Sequence, residues 1–170
     1  MMAIKIVLIV HNVRSALNVG SLLRTADGLG IQKVYFSGYT PYPRAQVDER
    51  LPHIAVRAEN QIKKTALGAE KSVSWQNVAD LHQLLQQLQK AGYQLAALEQ
   101  SDHSVDLTTF RTKQNIALLV GSETEGLPTD ILKLADICLE IPMLGQKESY
   151  NVAVAAAMAL YHLRFIADKT

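Results

Sequence analysis

The chain has 170 residues, 48% of them hydrophobic, with 17 lysines and arginines against 16 acidic residues and a single cysteine. This length and hydrophobicity predict one domain spanning residues 1–170 with its own core, and they argue against a disordered chain. The lone Cys138 excludes an intramolecular disulfide and a cysteine zinc cluster, a pattern typical of proteins in the reducing cytoplasm.

Apolar periodicity predicts the elements of the first part of the chain. Residues 4–10 form a β-branched run typical of a buried strand, and the run is too short for a signal peptide or a membrane anchor. A helix is predicted over residues 17–29, where Asn18 can cap the start and Gly30 can end the helix. A strand follows over residues 34–37. The proline-rich segment 38–53 is the first candidate for a substrate-binding loop, because long loops in compact domains are usually functional or mobile.

The rest of the chain continues to alternate between the two kinds of pattern. Helices are predicted over residues 59–67, 78–90, 128–134 and 152–166, and strands over residues 93–98, 116–120 and 137–141. The apolar run at residues 152–161 is about half as long as a membrane span requires, so a soluble protein is expected. The alternation predicts an α/β fold, with a mostly parallel sheet flanked by helices.

Charge is distributed unevenly along the chain. Residues 1–71 contain ten basic and five acidic residues, a net charge of +5, whereas the remainder carries −4. Such an asymmetry can place a basic face on a nearly neutral molecule, where a phosphate-bearing partner would respond to the local field. A solvated surface explains the same numbers, and charge alone favours that simpler explanation.

The segment after the first predicted strand offers a possible anion site. It lacks the glycine spacing of a dinucleotide-binding turn. It does supply a helix N-terminus with Asn18 and Gly20, and Arg24 lies about one turn further in, so a phosphate could be held there. The alternative is that Asn18 only caps the helix and Arg24 pairs with Asp27. The two explanations are equally supported by this element alone.

Two more segments follow strands at the edge where parallel sheets bind ligands. Residues 121–128 contain Glu123 and Glu125, and for Glu125 we expect a structural role, fixing the loop or a nearby arginine, rather than a metal site. Residues 142–151 lead into an alanine-rich helix that is apolar on nearly every side, which predicts burial on nearly every side. Ser149 and Asn151 are placed to cap that helix or to bond a ligand.

Taken together, residues 18–26, 119–128 and 141–155 resemble the three motifs of the SpoU/TrmH family of the SPOUT superfamily, whose members are S-adenosylmethionine-dependent RNA ribose 2′-O-methyltransferases. The resemblance covers almost the whole chain. It implies a C-terminal trefoil knot, a homodimer with sites near the subunit interface, and no metal. It implies a catalytic site shaped by Asn18, Arg24, Glu125 and Asn151. It also implies a cofactor site around Leu98, Gly121, Ile141, Met143, Ser149 and Tyr150.

The chain departs from the family pattern in its third motif. That motif usually reads Ser-Leu-Asn-Val-Ser, but Tyr150 and Ala153 stand at its second and fifth positions. Backbone contacts to the cofactor should survive these changes, while the pocket wall near the adenine can differ. Some family members hold RNA with extensions, whereas here we expect recognition by the core domain, residues 38–64 and the dimer.

The resemblance implies an RNA substrate, with tRNA ahead of rRNA. The candidate RNA contacts are Arg14, Arg44, Arg50, Lys63 and Lys64. We expect Arg24 to clamp the adjacent phosphate and orient the 2′-OH, because a guanidinium stays protonated and is a poor general base. His11 is nearest the expected site but is given no catalytic role, because a single histidine after a strand is more often structural.

Two other functions remain open. The first is a catalytically silent RNA-binding protein of the same fold, against which the intact Asn18, Arg24 and Asn151 argue. The second is a nucleotide-dependent enzyme acting on a small molecule, which the absent glycine fingerprint and the basic first half disfavour.

Overall fold

A computed structural model describes residues 4–167. The elements, in chain order, are β1 (Ile6–His11), α1 (Ala16–Gly28), β2 (Lys33–Ser37), α2 (Pro52–Ala66), α3 (Ala69–Ser72), β3 (Trp75–Val78), α4 (Leu81–Lys90), β4 (Tyr93–Leu98), β5 (Val105–Asp106), β6 (Asn115–Val120), α5 (Thr129–Leu132), β7 (Ile137–Glu140) and α6 (Val152–Phe165).

The strands form one seven-stranded sheet in the order β3-β2-β1-β6-β4-β7-β5, and all of its strand pairings are parallel. The interior strand β1 is buried on both faces, with Ile6, Leu8 and Val10 in one core and Val7 and Ile9 in the other. This double burial explains why the strand is continuously apolar rather than alternating. The predicted parallel sheet flanked by helices is therefore confirmed.

Local capping and proline chemistry set the boundaries that periodicity missed. Helix α1 is capped by Ser15, whose Oγ accepts a hydrogen bond from the Asn18 backbone N–H at 3.2 Å. The prediction that Asn18 caps this helix is wrong, and its side chain is free for other contacts. Helix α2 begins at Pro52, seven positions before the predicted start, because proline suits the first turn of a helix. The predicted helix 78–90 begins only at Leu81, after the short strand β3.

Helices α1 and α2 approach each other closely at Gly20. A Cβ atom on this residue would overlap the Ile62 carbonyl oxygen and the Thr65 Oγ1 atom. The Thr65 hydroxyl also donates a 2.7 Å hydrogen bond to the Leu17 carbonyl oxygen. The glycine in the first motif thus has a packing role that the sequence did not predict.

Helix α6 is only partly buried, contrary to the expectation of burial on nearly every side. Ala156, Ala159 and Leu160 lie fully in the core, but Val154 and Tyr161 remain about half exposed, at 50% and 54%. The small alanines bring the helix close to the sheet and leave one apolar stripe facing outward. Among residues 4–167, no helix combines the length and apolarity needed to cross a membrane.

Candidate functional site

A cavity of about 370 Å³ opens at the carboxyl ends of β4, β6 and β7. Its walls come from the residues that follow these strands and from the start of α6. In an open parallel sheet this edge is where ligands bind. The lining residues are 98–100, 120–126, 139–141, 149, 150, 152 and 155.

The loop after β6 is held in a tight, preformed shape. Ser122 and Gly126 form an antiparallel bridge, and the Ser122 Oγ accepts a 2.9 Å hydrogen bond from the Glu125 backbone N–H. A Cβ atom on Gly121 would overlap the Gly126 backbone, so any larger residue would open the loop. Gly126 adopts a φ of 67°, a conformation that costs little only for glycine. The cavity wall is therefore built by the backbone itself.

The three sequence motifs meet at the rim of this cavity. The Asn18 Nδ2 donates a 2.9 Å hydrogen bond to Glu123 Oε1, and the Asn151 Nδ2 donates a 3.2 Å bond to Asn18 Oδ1. Asn151 also caps α6, because its Oδ1 accepts from the Ala153 N–H at 3.0 Å. Asn18 therefore uses both ends of its amide to join one residue from each of the other two motifs.

Glu123 is the carboxylate acceptor of this network, a role that the sequence did not predict. Besides Asn18, the backbone N–H groups of Arg14 and Ser15 donate to its carboxylate, at 3.1 and 3.4 Å. Burial raises the pKa of Glu123, but these donors together outweigh burial and hold the pKa below its usual value. The carboxylate is thus ionised at neutral pH and fixes the start of α1 against the loop after β6.

Two of the predicted catalytic residues lie outside this network. Glu125 lines the cavity, but its carboxylate is exposed, and its nearest ion-pair contact is the Arg14 guanidinium at 3.9 Å. Arg24 lies on the exposed face of α1 and is not among the lining residues. Within residues 4–167 its guanidinium has no hydrogen bond or ion pair, and Asp27 instead accepts a hydrogen bond from Ser72. The alternative pairing of Arg24 with Asp27 is therefore absent.

Five of the six predicted cofactor residues line the cavity, namely Leu98, Gly121, Ile141, Ser149 and Tyr150. Met143 is half-buried and lies outside the lining set. Sequence reasoning missed Glu99, Gln100 and Glu140, which also line the cavity. Their position directly at the ends of β4 and β7 was the signal that could have identified them.

The predicted RNA contacts have unequal surroundings. Arg50 is held inside its own loop: it binds the Asp48 carboxylate at 2.6 Å, donates to the Tyr42 and Pro43 carbonyl oxygens, and stacks on the Tyr42 ring. Lys63 pairs with Glu59 one helical turn away, at 2.8 Å.

The other basic candidates are more accessible. Arg44 and Lys64 are exposed. Arg14 is also exposed, and its guanidinium lies 5.6 Å from the centre of the Tyr39 ring, close to the cavity rim. Of the five candidates, Arg14 is thus the one in contact with the rim network.

His11 is held by its neighbours rather than directed at the cavity. Its Nδ1 atom is 2.9 Å from Ser37 Oγ, and burial lowers its pKa, although nearby Asp130 opposes that shift. This agrees with the structural role expected from the sequence. Among residues 4–167, no three histidine, cysteine or acidic side chains are grouped so as to hold a metal ion.

The cavity lies at the carboxyl edge of a parallel sheet, beside a loop shaped by its own backbone and an asparagine–glutamate network. These are the features of a small-ligand site in an α/β fold. The sequence model of the SpoU rRNA methylase family matches residues 5–161. The chain therefore belongs to this family.

Individual proteins are similar over most of the chain. A Staphylococcus haemolyticus protein of the TrmH tRNA/rRNA methyltransferase family is 27% identical over 92% of the chain and 57% of its own length. The mouse tRNA (guanosine(18)-2′-O)-methyltransferase TARBP1 is 28% identical over 85% of the chain but only 8% of its own length. The chain thus spans about half of the first relative and a small part of the second.

The fold is similar to that of solved structures. The AdoMet-bound rRNA methyltransferase from Sinorhizobium meliloti superposes with a TM-score of 0.77 at 23% identity, over 96% of this chain and 57% of the other. At this level of identity the similarity concerns the fold.

Proposed function

We propose that this protein transfers a methyl group from S-adenosylmethionine to a ribose 2′-OH of tRNA or rRNA. The observation that carries the proposal is the Asn18–Glu123–Asn151 network, which joins three distant motifs at the rim of one cavity. The cofactor supplies an activated methyl group bonded to a cationic sulfur. The protein's part is to align the hydroxyl and exclude water, which is how enzymes accelerate such displacements.

The cavity fits this cofactor in size and charge. Its volume of about 370 Å³ is within the range of small-molecule sites. Four of the lining residues are glutamates and none is lysine, arginine or histidine, which suits a cationic ligand. The chain's own Leu98, Gly121, Ile141, Ser149 and Tyr150 would hold the cofactor, and Met143 would need to approach from outside the lining set.

Arg24 is proposed to bind the RNA phosphate next to the target ribose and to serve the cavity of a second subunit. It lies outside its own cavity, on the same exposed face of α1 as Leu17, one heptad apart. Leu17 on α1 and Val154 and Tyr161 on α6 are exposed apolar residues, and the two helices are in contact, which supports a homodimer interface on these helices.

The shared site can be tested by mixing two inactive proteins. Arg24→Ala keeps an intact cavity, and Gly121→Ala keeps Arg24 but disturbs the loop after β6. If Arg24 serves the partner's cavity, unfolding and refolding the two together at equal amounts should restore about a quarter of the wild-type sites. No recovery, with mixed dimers verified by native mass spectrometry, would contradict the shared site.

RNA is proposed to lie across the rim toward the basic side of the molecule. Arg14 and Tyr39 are both exposed beside the network, where a guanidinium and an aromatic ring suit phosphate and base contacts. Arg44 and Lys64 extend this surface, with Lys63 as a weaker contributor. Arg50 is left out because its guanidinium is engaged within its loop.

We further propose that the chain is a single domain, that its last elements form the trefoil knot of this family, and that it acts in the cytoplasm. The convergence of residues 98–100, 120–126, 139–141 and 149–150 on one cavity supports the knot. Single-molecule stretching from the two ends tests it, because a tightened knot would leave the unfolded chain shorter than a linear chain of the same length.

The experiment that tests the function uses total cellular RNA and methyl-labelled S-adenosylmethionine. The expected product is RNA that carries label in 2′-O-methylated nucleosides after enzymatic digestion, with about 10²- to 10³-fold slower labelling when Arg24→Ala replaces the wild type. RNA binding without transfer, in the presence of bound cofactor, would instead identify a catalytically silent RNA-binding protein. Mapping the modified positions would then identify the target RNA.

A further inference from the structure

Glu99 is a cavity-lining carboxylate that is held in place by the backbone and is not used by the network at the rim. It directly follows β4, and its backbone N–H donates a 3.0 Å hydrogen bond to the Leu139 carbonyl oxygen. Its Oε1 atom accepts a 2.7 Å hydrogen bond from the Leu127 N–H, across the loop after β6. Glu99 is therefore fixed between three segments of the cavity wall.

The loop backbone packs directly against this carboxylate. A Cβ atom on Gly126 would lie 2.5 Å from Glu99 Oε1, so the loop can close only because residue 126 has no side chain. The hydrogen bond from Leu127 engages Oε1, and no side chain among residues 4–167 donates a hydrogen bond to the Oε2 atom. Glu99 can thus hold the wall with one oxygen and leave the other for a ligand.

The surroundings leave the ionised form of Glu99 poorly compensated. Burial raises the pKa of its carboxyl group, and the backbone N–H groups of Leu127 and Gln100 offset this only in part. The lining residues provide no basic side chain as a counter-ion. A half-buried carboxylate without a counter-ion is stabilised when a cation enters its cavity.

We propose that Glu99 makes the cavity prefer the cationic sulfonium of S-adenosylmethionine over the neutral thioether of S-adenosylhomocysteine. The inference rests on the proposed function. In the reaction the carbon–sulfur bond breaks, its electron pair stays on sulfur, the methyl group bonds to the ribose oxygen, and the hydroxyl proton passes to water or to the adjacent RNA phosphate. The attraction to Glu99 is lost at that moment, so Glu99 favours binding of the substrate and release of the product.

The test compares the two ligands on Glu99→Gln, which removes the charge but keeps an oxygen able to accept from Leu127. Isothermal titration calorimetry should show S-adenosylmethionine binding about tenfold more weakly, since one partly buried charge interaction is lost. Binding of S-adenosylhomocysteine should change less than twofold. The KM for S-adenosylmethionine should rise while kcat does not fall, because an interaction that stabilises the bound cofactor more than the transition state does not speed the chemical step.

Glu125→Gln is the matched control, because it removes the same charge from the same cavity at a carboxylate exposed to 74%. Water and salt screen an exposed charge, so the ratio of the two affinities should shift less than twofold. Glu99→Asp is a second variant that keeps the charge, and it should retain most of the preference even if the bond to Leu127 weakens. Melting temperatures of all variants establish that they are folded.

The outcomes separate this inference from the proposed function. Equal weakening of both ligands in Glu99→Gln would mean that Glu99 only holds the loop, and the inference would fail. If Glu99→Asp lost the preference for S-adenosylmethionine as completely as Glu99→Gln does, the inference would fail as well. If the wild-type protein bound neither ligand, the proposed cofactor itself would be wrong.

Discussion

The cavity rim and residues 38–64, a basic segment that contains four of the five candidate RNA contacts, were both suggested by the sequence, but their polar contacts span very different distances along the chain. At the rim, Asn18 bonds to Glu123 and Asn151, which are 105 and 133 positions away. In the basic segment, Arg50 bonds to Asp48, only two positions away. One set of contacts requires the complete fold, and the other requires a single loop.

This difference shows how the two kinds of sequence signal should be weighed. A local ion pair orders only the few residues between its members, so it can stabilise a loop without any demand from a ligand. The network at the rim holds three distant segments in fixed positions beside a cavity. Packing of the hydrophobic core does not require that arrangement. The rim is therefore the stronger evidence for function, and a count of basic residues overstates the RNA surface.

The largest expected effect concerns Arg24, which belongs to neither set of contacts. Arg24→Ala should lower methyl transfer by about 10²- to 10³-fold, the cost of removing one charge-stabilising donor from an active site. The affinity for S-adenosylhomocysteine, measured by calorimetry, should stay unchanged because Arg24 does not line the cavity. A loss of that affinity would contradict the division between RNA clamp and cofactor cavity.

Arg24→Lys sharpens the same prediction. A phosphate clamp needs positive charge, so the lysine variant should keep measurable activity, although it cannot form a bidentate contact. Activity as low as that of Arg24→Ala would require the guanidinium itself and would favour a different role for Arg24.

The next effect breaks the rim network at its centre. Asn18→Ala removes the hydrogen bonds to Glu123 and Asn151 and should lower kcat/KM by roughly 10- to 100-fold, because misplaced groups lose alignment. Stability should fall by less than about 1 kcal/mol, since Ser15 and not Asn18 caps the helix.

Ser15→Ala is the matched control for that variant. It removes the cap and should cost about 1 kcal/mol of stability while leaving Asn18 in place. Chemical denaturation and steady-state kinetics on the two variants should therefore give opposite patterns. Equal losses of activity would mean that Asn18 acts only through the position of α1.

Much of the fold could be predicted because its strands are buried on both faces. The continuous apolar runs that became β1, β4 and β6 leave little choice but a covered parallel sheet. The short edge strands β3 and β5 were missed, since Trp75–Val78 and Val105–Asp106 are too short and too exposed to have a period. Their pairing depends on neighbours brought together by the fold.

The location of the site could be predicted from the sequence, but its hydrogen bonds and ion pairs could not. The carboxyl-edge rule and the motifs indicated the segments that form the cavity, and five of the six proposed cofactor residues line it. The choice between Glu123 and Glu125 could not be made from spacing, because it depends on which carboxylate faces the start of α1. The same holds for Arg50, whose partners are set by the path of its own loop.

A smaller effect is expected from breaking the local contacts of the basic segment. Arg50→Ala should destabilise the protein by about 2 kcal/mol, because it removes a partly buried ion pair and its hydrogen bonds. The ion pair holds the pKa of Asp48 well below its usual value, so its contribution is present above the unfolded-state pKa and lost as pH falls through the folded one. The difference between wild type and variant in denaturation experiments should therefore shrink in acid.

The smallest effect is expected at the exposed basic residues. Arg44→Ala or Lys64→Ala should leave stability unchanged and weaken RNA binding only a few-fold, because each removes at most one ionic interaction with a phosphate. The slope of log affinity against log salt concentration should fall by about one for each phosphate that is no longer neutralised. Arg50→Ala is the comparison. An unchanged salt slope in this variant would mean that Arg50 serves only its own loop. A decrease equal to that of Arg44→Ala would instead place RNA on the loop, and the basic surface would then extend beyond the exposed residues.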